Sequence, residues 1–178
     1  MRIGTRSILF GIHNFVVHPI IVAIAWTKLY GFPFQFPLWA AFVLHDLGYL
    51  GKRDMDSREG EKHVEPGSRI MAGLFGKKWG DFCKYHSRFY SKKEGRPPSR
   101  LCFADKLAIV TYPKNLYLFL GKLSGEINEY VERSKNGKYK GMHLDVSDVD
   151  KWYNEMCTYV VRWIGEHKDG KEDHWTPK

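Results

Sequence analysis

The chain has 178 residues and a mass of 20.8 kDa, the size of one ordinary domain. Hydrophobic residues at 43% and charged residues at 27% exclude a disordered or collagen-like chain. Three cysteines without C-x-x-C spacing exclude a disulfide scaffold and a cysteine-rich zinc module, and favour a reducing compartment.

Twenty-eight basic against 20 acidic residues give a net charge of +8 and an isoelectric point near 9.3. Such an excess favours anionic ligands, but does not choose among a nucleotide, a nucleic acid and a membrane surface. Aromatics, at 15%, supply the bulk for one core.

Along the chain, Phe15 to Trp26 is an apolar run interrupted by His18 and Pro19. It is shorter than the roughly 20 residues of a bilayer span and lacks a signal-peptide cleavage site. It is expected to form a buried helix, with neither a membrane segment nor a leader. Gly31 to Pro37, with two prolines and a glycine, reads as a turn. Leu38 to Leu50 is a second apolar run, broken by His45 and Asp46 and suited to a buried helix. Gly51 to Lys62 is a polar loop, and His63 to Phe75 a helix with Pro66 in its first turn, where proline is tolerated.

Lys78 to Tyr90 places Trp79, Phe82, Cys83, His86 and Phe89 on one helical face. Gly95 to Ser99 is a loop, with Ser99 as N-cap of a helix reaching about Tyr112 and ended or kinked by Pro113. Leu116 to Arg133 reads as a helix interrupted near Gly121 to Gly125, and Lys135 to Gly141 as a basic loop. The last helix runs from Val149 to His167, with Trp152, Met156, Val160 and Trp163 on one stripe, the pattern of a core-facing helix. No period-2 strand or repeat occurs. The expectation is an all-α, single-domain helical bundle over residues 1–167, with a polar, frayed tail at 168–178.

The chemistry concentrates in His18, His45-Asp46, His63, His86 and Asp105, spaced H-x26-HD-x16-H-x22-H-x18-D. His18, His45 and Asp46 sit in the most apolar stretches of the chain, where an unpartnered polar group is costly. Any one of these histidines is more simply a hydrogen-bonded core or surface residue. The six together, on successive helices, suit a metal site built between the helices of a bundle.

These residues resemble the H…HD…D signature of the HD-domain superfamily of metal-dependent phosphohydrolases. The added His63 and His86 resemble its six-ligand, dinuclear H…HD…H…H…D members. Ala41-Phe-Val-Leu-His-Asp-Leu-Gly48 is similar to the HD helix and Phe103-Ala-Asp-Lys-Leu107 to the closing aspartate helix. The order Glu61-Lys-His63, Tyr85-His86, Ala104-Asp105-Lys106 looks like the branch that hydrolyses dinucleoside polyphosphates. The resemblance covers about residues 12–112. Many relatives have a lysine after the HD-x-G segment; here Tyr49 stands there, and Lys52-Arg53 follow a turn later.

The resemblance implies an HD-type bundle in which His18, His45, Asp46 and Asp105 hold one metal and His63 and His86 a second, with Asp46 bridging. Two cations about 3.5 to 4 Å apart lower the pKa of a bridging water and neutralise the phosphate it attacks. The implied activity is phosphoester or phosphoanhydride hydrolysis, of a nucleotide, by a metal-bridging hydroxide, with Asp46 catalytic. Nitrogen and oxygen ligands suit one or two divalent transition ions among Fe, Mn, Co, Ni and Zn. The same ligand set serves HD-type mixed-valence diiron oxygenases, which is the alternative. A non-catalytic domain binding a nucleotide or nucleic acid is the second; the presence of all six candidate ligands argues against it.

Charge favours the hydrolase. From Lys77 to Lys106 nine basic residues face three acids. Arg88, two positions after His86, and Lys106, next to Asp105, are the candidate catalytic cations, since phosphate calls for such donors. Lys92 to Arg100 divide evenly between a phosphate cradle and a solvated face, and Lys52, Arg53 and Arg58 can reach a pocket mouth. Asp56 and Glu65 are weaker candidates for orienting ligands, Glu65 being equally suited to the first turn of its helix. Tyr49, Tyr85, Phe89 and Tyr90 suit either base stacking or the core. His143, His167 and His174 are expected to be exposed. The expected partner is a small phosphate-containing anion, with nucleic acid a weaker candidate and no membrane, in a cytoplasmic setting.

Overall fold

The computed structural model describes residues 1–55, 57–136 and 144–169. Among them there is no strand, and the fold is all-α. The helices are α1 (Ile3–Phe10), α2 (Val17–Tyr30), α3 (Phe36–Leu44), α4 (Val64–Phe75), α5 (Lys77–Lys84), α6 (Arg88–Lys93), α7 (Arg100–Thr111), α8 (Lys114–Ser124), α9 (Glu126–Lys135) and α10 (Val149–His167). Single 3-10 turns at Leu47–Tyr49 and Glu61–His63 flank the polar loop. Asp56, His143, His174, most of the basic loop and the tail beyond 169 lie outside the described residues.

The centre of the fold is α7, packed against α2 on one side and α10 on the other. Leu101, Ala104 and Ala108 join Val22, Trp26, Phe42, Met71 and Trp152 in the main core. Cys102 and Phe103, on another face of α7, meet Val160, Trp163 and Ile164 of α10 in a second cluster. Burying a large apolar side chain contributes about 1.5 to 3 kcal/mol, so the α10 stripe suffices to fasten that helix. Asp148 caps α10, accepting from the backbone N–H groups of Asp150 and Lys151.

Four sequence expectations change. The helix expected over Leu38 to Leu50 stops at Leu44. His45 N–H still donates to Ala41 O, but Asp46, at φ −100° and ψ 1°, leaves the helical path, and Gly48 follows within a tight turn. The helix expected over Lys78 to Tyr90 is two, because Ser87 takes an extended conformation and caps α6 by accepting from Tyr90 N–H. The run around α2 is only half-buried: Ile21, Val22, Ala25 and Trp26 face the core, while Ile20 and Ile24 stay exposed. His167 is buried, not exposed; its Nδ1 donates to Trp163 O at 2.8 Å and its ring stacks on Trp163, extending the apolar stripe to the end of α10.

Ser99 occupies the N-cap of α7 without a side-chain capping bond, and the break expected near Gly121 to Gly125 falls at Gly125. No helix among the described residues is long and apolar enough to cross a membrane.

Candidate metal centre

Five separate segments bring the six candidate ligands to one place. His18 lies in the first turn of α2, His45-Asp46 just past α3, His63 at the head of α4, His86 in the turn between α5 and α6, and Asp105 in the middle of α7. Two glycines allow the approach. A Cβ on Gly48 would stand 2.1 Å from His63 O, and one on Gly67 would stand 2.2 Å from Leu44 O. With hydrogen there instead, the His63 turn and α4 close directly onto the His45-Asp46 segment.

All six side chains are buried. Their nitrogen and oxygen atoms form two groups, His18–His45–Asp46–Asp105 and Asp46–His63–His86, each with all ligand atoms within 4.8 Å of one another. Asp46 belongs to both. Its Oδ2 lies 3.3 Å from His18 Nε2 and 3.2 Å from His45 Nε2, while its Oδ1 lies 3.3 Å from His86 Nε2 and 3.6 Å from His63 Nε2. Asp105 Oδ1 closes the first group at 3.2 Å from His18 Nε2.

The residues fit a metal. Two ligands each about 2.1 Å from one ion stand roughly 3 to 3.4 Å apart across a right or tetrahedral angle. Most of the separations above fall there. His18 Nε2, His45 Nε2 and Asp46 Oδ2 are buried without a hydrogen-bond partner, which is costly unless something else satisfies them. Three imidazoles are also fixed in the ligating tautomer. Nδ1 donates to the carbonyl three residues back in His45 (Phe42 O, 3.0 Å), His63 (Gly60 O, 2.8 Å) and His86 (Cys83 O, 2.6 Å). Each Nε2 is thereby left with its lone pair toward the centre. These buried His and Asp groups can hold a metal ion.

Electrostatics agree. Burial disfavours the carboxylates of Asp46 and Asp105, yet the surrounding cations and imidazoles hold both well below the usual range. Two buried carboxylates draw in positive charge. In the absence of another cation His45 takes a proton: burial lowers its pKa, but Asp46 and Asp105 outweigh it and push it up to about 10. Burial, and then the neighbouring His86, push His63 down to about 3, so this ring is neutral and ready to ligate.

Around the centre, Lys106 Nζ lies 2.9 Å from Asp105 Oδ2, with its side chain 39% exposed against 7% for Asp105. Burial disfavours the ammonium, but Asp105 holds its pKa above the lysine range. The Arg88 guanidinium lies 4.4 Å over the Trp163 ring of α10. Other basic residues are spread outward: Lys77 pairs with Asp81, Lys84 with Glu94, and Arg100 lies over Tyr30. Lys52 lies 3.9 Å from Glu59, and Arg53 and Arg58 are exposed.

Glu65 accepts from Tyr90 OH at 2.6 Å, tying α4 to α6. Tyr85 OH donates to Glu94, Tyr90 is buried, and Tyr49 has one face covered by His63. Phe89 is exposed.

Sequence reasoning passed over two residues beside this centre. Glu126, fully buried at the start of α9, accepts from His13 Nδ1 at 2.6 Å, and the His13 ring lies 5.1 Å from that of His18. Burial disfavours charge on both. The pairing nevertheless raises His13 and holds Glu126 below the usual glutamate value. No local pattern marks two residues 113 positions apart. Compared with known protein families, with curated proteins and with solved structures, the chain matches none of them.

Proposed function

We propose that this chain is a metal-dependent phosphohydrolase of the HD type, cleaving a phosphoester or phosphoanhydride bond of a nucleotide. The observation that carries this reading is the shared carboxylate of Asp46, with one oxygen toward His18 and His45 and the other toward His63 and His86. One carboxylate between two imidazole groups suits a pair of ions, drawn from Fe, Mn, Co, Ni and Zn by its nitrogen and oxygen donors. Metal bound there supplies Lewis acidity and a water of lowered pKa.

The protein's own residues do the rest. The backbone carbonyls behind His45, His63 and His86 hold the rings in register. Lys106, charged and partly open to solvent beside Asp105, offers a donor to a phosphoryl oxygen. Arg88 is the second candidate donor; its guanidinium lies over Trp163 and would have to leave that ring to reach a substrate. The net charge of +8 favours an approaching polyanion. Three free cysteines, two of them buried, suit a reducing, cytoplasmic setting.

The test is metal analysis of anaerobically purified protein, followed by a screen of nucleotides for released phosphate, with Asp46→Ala alongside. Phosphate release that survives Asp46→Ala would detach the activity from this site. Bound iron with a mixed-valence EPR signal and oxygen consumption would replace the hydrolase with an oxygenase. Metal-free protein that binds nucleic acid with a steep salt slope would make it a binding domain.

A further inference from the structure

A helix at a protein surface ordinarily turns polar residues to water. α3 does not. Its nine residues, Phe-Pro-Leu-Trp-Ala-Ala-Phe-Val-Leu, are all apolar or aromatic. Leu38, Ala41 and Phe42 fill the core, while Phe36, Trp39 and Val43 stand exposed on the other face. α2, packed beside it, exposes Ile20 and Ile24 one helical turn apart. Between the two helices Phe32 is 58% and Phe34 87% exposed, and Phe36, at the start of α3, 73%.

The connecting loop is fixed with these rings outward. Gly31, at φ 83°, turns the chain away from α2, a conformation that glycine adopts without strain. Pro33 is buried, and its carbonyl accepts from Trp39 Nε1–H at 2.9 Å. Phe34 N–H donates to Phe32 O at 3.0 Å. The Phe32 ring then lies 4.9 Å from that of Phe34 and 6.5 Å from that of Trp39. Folded monomers rarely leave such a continuous apolar surface to water, so this one calls for a partner.

Charge identifies the partner. Residues 1–45 contain no acidic residue and three basic ones, Arg2, Arg6 and Lys28. Lys28 is exposed one turn after Ile24, and the Arg100 guanidinium lies 5.2 Å over the ring of Tyr30, next to Gly31. Phe36 meets Phe75, and Lys78 is exposed three residues beyond that ring. The acids that approach this rim, Asp81 and Asp169, are paired with Lys77 and Lys168. A second copy would fit poorly, because a two-fold interface sets a patch against itself and would bring two cationic rims together. We propose that the α2–α3 pair docks the protein on an anionic lipid surface, with Phe32, Phe34 and Phe36 entering the interfacial layer and the rim cations meeting lipid headgroups. The mode is peripheral, since no helix among the described residues is long and apolar enough to cross a membrane. It replaces the expectation of no membrane partner and is independent of the phosphohydrolase reading.

The experiment floats the full chain with vesicles of phosphatidylcholine alone and of phosphatidylcholine with phosphatidylserine, at low and high salt. Binding should appear on the anionic vesicles and weaken as salt rises. Phe34→Ser should lower vesicle affinity about ten- to a hundredfold, the worth of one large apolar side chain withdrawn from water. Lys28→Glu should lower it about tenfold. Both side chains are exposed, so the unfolding temperature should stay that of the wild type. Brominated acyl chains should also quench the tryptophan emission of the wild type, and Trp39→Phe should remove most of that quenching.

Phe34→Ser binding as tightly as the wild type overturns the proposal, as does binding that neither anionic lipid nor salt alters. Wild type that stays off both kinds of vesicle overturns it too. Sedimentation equilibrium showing a dimer that Phe34→Ser dissociates would then give this face to a second copy instead. The wild-type flotation needs no variant, so the test stands even if a substitution fails to fold.

Discussion

The ring of Tyr49 lies parallel to that of His63, with centroids 4.0 Å apart and planes within 8°. Together with the His63 Nδ1 bond to Gly60 O, this stack fixes the imidazole so that Nε2 stands 3.2 Å from His86 Nε2. Tyr49 also occupies the position where many proteins of the resembled family have lysine, so here the position supports a ligand ring. Tyr49→Phe should therefore keep metal binding, since the stacked face is retained. Tyr49→Ala should weaken the Asp46–His63–His86 group about ten- to a hundredfold, as loss of a supporting contact does, and spare the other group. Metal titration with stoichiometry readout decides it; equal losses in both variants would show that the hydroxyl, not the stack, matters.

Gly48 is expected to tolerate no side chain. A methyl group there meets the His63 carbonyl at 2.1 Å, far inside contact distance, and backbone cannot move aside cheaply. Gly48→Ala should destabilise the protein by about 1 to 3 kcal/mol and lower metal occupancy at the His63 group. Thermal unfolding with metal analysis checks both parts. A variant as stable as the wild type would mean the 3-10 turn can withdraw from the HD segment without cost.

Metal binding should release a proton at the first group and not from His63 at the second. In the metal-free protein His45 titrates at about 10, so it is protonated at neutral pH and an incoming ion must displace that proton. His63, at about 3, is already neutral. Affinity of the His18–His45–Asp46–Asp105 group should then rise with pH below the His45 pKa, by up to about tenfold per pH unit from this one proton. Calorimetry in buffers of different protonation enthalpy counts the protons. An affinity independent of pH between neutrality and pH 9 would contradict the assignment.

Removing a cation should separate the metals from the substrate. Lys106→Met leaves every candidate ligand in place, so bound metal should be nearly unchanged. Turnover of a phosphate substrate should fall about ten- to a hundredfold, the worth of one charge-assisted hydrogen bond. Arg88→Ala also gives up its place over Trp163, about 0.5 to 1 kcal/mol of stability, and should lower turnover by a comparable factor. Both variants need kcat/KM and unfolding measured side by side. Full activity in both would reduce the basic cluster to a solvated face.

Much of the fold was legible because α10 and α4 each present one continuous apolar stripe, and periodicity alone sets such a helix to within a residue or so. Periodicity failed where the site interrupts it. Phe82, Cys83, His86 and Phe89 keep helical spacing, so nothing in the pattern reveals that one helix ends at Lys84 and Ser87 caps the start of another. The apolar letters around His45 likewise continue past Leu44, although the chain turns at Asp46 to present its carboxylate. Helix breaks at functional residues are invisible to hydrophobic pattern because they are stabilised by contacts from elsewhere, here Ser87 with Glu61.

The sequence by itself determined the helical class, the principal helices and the six ligand candidates: His18, His45 and Asp46 stand out as polar residues in apolar stretches, and His63, His86 and Asp105 join them by their spacing over successive predicted helices and by the resemblance. Their division into two groups that share Asp46, implied by the resemblance, takes its geometry from the tertiary structure. Asp46 faces both groups because the chain leaves α3 one residue before it, and His63 reaches that carboxylate because two glycines let the backbones touch. Only the tertiary structure could add His13 and Glu126, whose relation spans 113 positions and rests on a buried carboxylate held by two remote donors, Ser7 and Ile12, and by the neighbouring Ser124. Local spacing records what a segment prefers; which segments meet is set by packing across the whole chain.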